Sequence, residues 1–88
     1  MRKVFKFYSD PGHGWIAVKR QLLTELGIAD KISSYSYQRG KTVYLEEDCD
    51  APTFVNAFKN TYGGNNIGFQ ESYAEKTPIR SYDSYKKD

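Results

Sequence analysis

The amino-acid sequence predicts an α+β domain, an antiparallel sheet of four to five strands with two helices packed on one face, in the order ββα-ββα-β. Three observations predict it. Several short segments alternate aromatic or aliphatic residues with polar ones at period two, the pattern of half-buried strands. Two longer segments place large apolar residues three and four apart, and each ends at glycine. Glycine-bearing turns separate the strands.

Eighty-eight residues suffice for one domain. A chain of this size buries only about 60–65% of the surface it exposes when unfolded. Its core must therefore be aromatic-rich, and eight Tyr, five Phe and one Trp supply it. Each large ring can bury roughly 150–250 Å².

The elements follow in order. Residues 3–8 set Phe5 and Phe7 against Lys6 and Tyr8 and read as a strand. Ser9-Asp10-Pro11-Gly12-His13-Gly14 is turn chemistry, and Trp15–Val18 completes a hairpin. From Lys19 the spacing changes. Leu22, Leu23 and Leu26 share a helical face, and Gly27 is placed to end the helix. Residues 32–38 return to alternation, with Tyr35 and Tyr37 opposite Ser34 and Ser36. Arg39-Gly40-Lys41 turns the chain into a strand at Thr42–Leu45. Asp50 is placed to cap a second helix, with Pro52 in its first turn. Phe54, Val55, Phe58 and Tyr62 make its buried stripe, which ends at Gly63-Gly64. Ile67–Tyr73 alternates again as a fifth strand. Residues 1–76 form the expected domain. Residues 77–88 read as a polar tail, or as an edge strand if Ile79 and Tyr82 pair there.

Net charge is +2, but residues 1–45 hold eight Lys/Arg against three acids and residues 46–88 five against eight. A polar molecule with little net charge suits a protein-binding surface as well as a nucleic-acid one, and does not suit a DNA mimic, which needs a strongly acidic surface. The single Cys49 excludes an internal disulfide and points to a reducing compartment. No apolar h-region follows Arg2 and Lys3, and no run is long enough to span a membrane.

Four features could carry chemistry. Gly40-Lys41-Thr42 resembles the end of a phosphate loop, but Tyr35 stands where the first glycine must be and a strand follows where a helix is needed. His13, between two glycines, could be a base or a metal ligand. It is the only histidine, so a small hydrolase or metal enzyme around it ranks last, and a structural turn or partner-contact loop with Trp15 ranks above it. The block Glu46-Glu47-Asp48-Cys49-Asp50 lacks the spacing of a calcium loop. It reads as a solvated helix start or as a charged contact surface through Glu46, Glu47, Asp48 and Asp50. Negative neighbours disfavour a Cys49 thiolate. Tyr35 and Tyr37 beside Arg39 and Lys41 combine rings with cations, as single-strand nucleic-acid binders do, or form one half-buried sheet face.

Two phrases, Phe7-Tyr8-Ser9-Asp10-Pro11-Gly12-His13-Gly14-Trp15 and Tyr44-Leu45-Glu46-Glu47-Asp48-Cys49-Asp50, resemble a family of small accessory proteins carried by bacteriophages, prophages and plasmids. The resemblance covers roughly half of the chain, between Lys6 and Asp50. It implies a protein that binds and inhibits a host component, restriction or CRISPR machinery included, and it implies no activity.

The expectation is a non-enzymatic protein without metal or cofactor, acting on a host protein in the host cytoplasm. Its contact residues would be His13, Trp15, Glu46, Glu47, Asp48 and Asp50. The alternative is a nucleic-acid module using Tyr35, Tyr37, Arg39 and Lys41.

Overall fold

A computed structural model describes residues 2–87. The alternating segments form Lys3–Ser9 (β1) and Gly14–Lys19 (β2), which pair antiparallel with Tyr8 opposite Trp15 and Lys6 opposite Ala17. Tyr37–Arg39 (β3) and Thr42–Glu46 (β4) make a second hairpin, turned at Gly40 with a left-handed φ of 59°. Antiparallel pairing of β4 with β2 joins the two hairpins.

The helical stretches become Arg20–Glu25 (α1) and Asp50–Tyr62 (α2). Gly27 and Gly63, at φ 71° and 96°, follow them as the sequence predicts. After α2, Ile67–Tyr73 (β5) lies beside β1 and parallel to it. β4 and β1 both run opposite to β2, so a strand that follows the α2 crossover in the direction of β4 also runs with β1. Asp83–Ser84 (β6) pairs antiparallel with β3. The result is an α+β fold with a mixed, mostly antiparallel six-stranded sheet in the order β5-β1-β2-β4-β3-β6.

The register assigns the two faces. Phe5, Ile16, Val18, Val43 and Leu45 share one face, and with Leu23 of α1 and Phe54 and Phe58 of α2 they form the main core. Phe5 meets Phe54 and Phe58 edge-on, with ring centres 5.2 and 5.5 Å apart. Gly14 is required here: a Cβ would lie 2.6 Å from the Phe7 ring. The opposite, helix-free face carries Lys6, Tyr8, Trp15, Tyr37, Tyr44 and Glu46.

Three local expectations are corrected. Residues 32–36 form no strand. Ser36 N–H donates to Ser33 C=O, Tyr35 N–H donates to Ser33 Oγ, and only residues 37–39 reach the sheet. Serine hydroxyls that bond local backbone compete with a ladder. Asp50 does not cap α2. It is the first helical residue, and its carboxylate accepts from Ser33 N–H at 3.0 Å, from Ser33 Oγ at 2.7 Å and from Ser36 Oγ. Finally, residues 77–87 follow the edge-strand alternative rather than the loose polar tail, although Asp83 and Ser84 make the pairing and not Ile79 and Tyr82. Ile79 and Tyr85 are 3% and 4% exposed, and Tyr85 N–H donates to Ser36 C=O at 2.8 Å. Their apolar area outweighs the polar character of the segment around them.

Candidate functional site

β5 and β6 lie at opposite edges of the sheet, so residues 74–82 must traverse it. Their contacts are on the helix-free face. Arg80 lies over Trp15, 5.8 Å from the ring centre, and the Tyr82 ring is 5.2 Å from that of Tyr44. Beneath this strap Trp15 is only 2% exposed. Its indole N–H has no hydrogen-bond partner among the described residues.

Asp10 ties the strap down. Arg80 Nε donates to its Oδ2 at 2.6 Å and Nη2 to its Oδ1 at 2.9 Å, a bidentate charged pair. The same carboxylate accepts from the backbone N–H of Gly12 at 3.0 Å and of His13 at 2.9 Å. Four hydrogen bonds therefore fix the turn that carries His13, despite its two glycines. The Arg80 bond holds the Asp10 carboxyl well below the usual carboxylate range. Desolvation opposes this shift, and the two backbone N–H groups add to it.

Next to Arg80 the surface opens into a cleft of about 280 Å³. Trp15 and Tyr37, 6.3 Å apart edge to face, are aromatic walls, and Tyr35, 70% exposed, adds another ring. His13, Glu46, Asp48 and Cys49 supply the remaining polar lining. His13 Nδ1 lies 4.0 Å from Glu46 Oε2. Glu46 Oε1 accepts from the N–H of Asp48 and of Cys49, each at 2.9 Å, so this carboxylate shapes the turn into α2 as well as facing the cleft. Desolvation and the hydrogen bond to Glu46 push the Cys49 thiol up, which keeps it from being a thiolate nucleophile at neutral pH. Among the described residues no three His, Cys, Asp or Glu side chains are grouped to hold a metal ion, and no helix is long and apolar enough to cross a membrane.

The fold thus joins three candidate stretches of the sequence. His13 of the first turn and Trp15 of β2, Tyr35 and Tyr37 at the start of the second hairpin, and Glu46 and Asp48 from the acidic block line one cleft. The rest of the acidic block diverges. Glu47 faces a groove on the helix side, and Asp50 points inward to Ser33 and Ser36. Arg39 and Lys41 flank the β3–β4 turn outside the cleft, where Arg39 stacks 5.1 Å from the centre of the Tyr82 ring.

Asp10 and Arg80 are the residues that sequence reasoning missed. They lie 70 positions apart, and Arg80 belongs to a stretch whose composition suggests a tail. The nearest signal is Ile79, a lone aliphatic residue within that polar stretch. Comparison of the chain with protein-family models, curated proteins and solved structures finds no match.

Proposed function

We propose that the chain is a non-enzymatic binding protein of the phage-accessory type, which occupies and inhibits a host protein in the host cytoplasm through the cleft beside Arg80. One observation carries the reading: three separate stretches of sequence converge on a single concave site with aromatic walls and a charged lining. Aromatic residues in a partly enclosed setting are the usual anchors of protein interfaces.

The charge balance of the cleft suits a cationic contact on the partner. Arg80 is neutralised by Asp10 and Glu46 Oε1 is held by two backbone N–H groups, which leaves Asp48 and Glu46 Oε2 to face the cleft beside Trp15, Tyr35 and Tyr37. A lysine or arginine side chain of the partner would be held by the carboxylates and stacked on the rings.

Affinity capture from bacterial lysate tests this. Tagged wild-type protein should retain a host protein, and the pair Tyr35→Ala with Asp48→Asn should lose it by at least about tenfold. Trp15 emission serves as the check that the variant is folded. Undiminished capture by the folded variant would remove the cleft from the interface.

A specific observation favours one second reading, nucleic-acid binding. Tyr8, Tyr44 and Tyr82 form a run of rings on the helix-free face, 6.2 and 5.2 Å apart, with Arg39 over Tyr82 and Lys6 in the same row as Tyr44. Single-stranded bases stack on such rings. Binding of that kind weakens steeply with salt because several phosphates are neutralised, whereas a cleft holding one cation between rings weakens only slightly, so the slope of one salt titration separates the two.

A further inference from the structure

We propose that the free edge of β5, with the groove between it and α2, is a second binding surface, which takes an extended peptide carrying an aliphatic residue and, two positions along, a lysine or arginine. This surface lies on the helix side of the sheet and is independent of the cleft.

β5 pairs with β1 from Lys3↔Ile67 to Ser9↔Tyr73 without a break. Among the described residues nothing pairs with its other edge. Alternate residues of a parallel strand turn their N–H and C=O groups away from the neighbour, so β5 offers a row of unused donors and acceptors. Proteins usually blunt such an edge with lysine, proline or a bulge. The β5 sequence Ile-Gly-Phe-Gln-Glu-Ser-Tyr contains neither residue, its register is unbroken, and Phe69 and Tyr73 remain 43% and 62% exposed.

The groove alongside has a volume of about 490 Å³. Phe7 and Ile16 from the sheet, Val55 from α2 and Phe69 from β5 give it an apolar lining. Glu47 and Glu71 add two carboxylates, and no cation lines it among the described residues. A strand added to β5 turns every second side chain toward the helix side. One such side chain meets Phe69 and Val55; the next falls beside Glu71, which sits opposite Phe7 in the register. The first position wants an aliphatic group and the second a cation. Charge also argues against a second copy of this chain as the occupant, because Glu71 is the only charged residue β5 could bring.

The test uses a fluorescein-labelled, threonine-rich peptide carrying one valine and, two positions later, one lysine, with a glutamate-for-lysine peptide as control. Anisotropy should give saturable binding of the lysine peptide, and amide exchange should slow across residues 67–73. Glu71→Lys should weaken that binding on the order of tenfold and favour the glutamate peptide. If Glu71→Lys disturbs the unfolding transition, Phe69→Ala reads the same groove through its apolar half, with a loss of similar size. The pair Tyr35→Ala with Asp48→Asn should leave peptide binding unchanged. Equal binding of both peptides, or unprotected amides across residues 67–73, would overturn the proposal. Concentration-dependent dimerisation that protects the same amides would overturn it too, by giving the edge to a second copy.

Discussion

Asp10 accepts two hydrogen bonds from its own turn and two from Arg80, so one carboxylate joins the His13 loop to the strap over Trp15. Its carboxyl titrates below the ordinary aspartate value of 3.8. A depressed folded-state value means that the contribution to stability is complete above the unfolded value and is lost as pH falls through the folded one. Stability measured by denaturant unfolding should therefore decline as pH drops below about 4. Asp10→Asn should flatten part of that decline. Trp15 is the only tryptophan, and its emission should shift to the red in Asp10→Asn as the strap loosens. An unshifted emission and an unchanged acid profile would mean that the Asp10–Arg80 pair does not hold the strap.

At the scale of elements, each helix rests on few side chains. Phe58 is 2% exposed and touches the rings of Phe5, Phe54 and Tyr62. Phe58→Ala should cost about 3–5 kcal/mol in chemical denaturation. Leu26→Ala should cost less than Leu23→Ala, since Leu23 is fully buried and Leu26 is not. Truncation after Lys76 addresses the last element. Composition predicts little effect. The structure predicts a marked loss of stability and an exposed Trp15, because Ile79, Arg80 and Tyr85 leave with the segment. The difference is instructive about what sequence pattern reports. The first hairpin, β4, both helices and β5 are legible, since period-two and helical spacing are local properties, whereas the alternation over 32–38 overstates β3, which is only Tyr37–Arg39. β6 surfaces only as the alternative of an edge strand, and there through Ile79 and Tyr82, because two residues carry no period and its partners in β3 lie about half the chain away. Ser36 looks like the polar side of a strand, yet it and Ser33 serve as hydrogen-bond partners of Asp50, 14 and 17 residues away.

On the scale of the whole molecule, the order β5-β1-β2-β4-β3-β6 decides where chemistry can gather. α2 carries the chain to one edge, the strap brings it back to the other, and both helices are left on a single face. That routing brings His13, Trp15, Tyr35, Tyr37, Glu46 and Asp48 together next to Arg80. The sequence names six of these seven residues, but as two unrelated candidates, one for protein contact and one for nucleic acid. Their union depends on strand order, which local pattern does not encode. The central claim is that this cleft is where a partner protein docks. The most direct measurement is photo-crosslinking in host lysate with Tyr35→p-benzoylphenylalanine, set beside the same substitution at Tyr62, an exposed ring at the end of α2. The account predicts a discrete, nuclease-resistant protein adduct from position 35 that Asp48→Asn in the same chain suppresses, and none from position 62. Nuclease-sensitive adducts at position 35, or an adduct from position 62 alone, would contradict it.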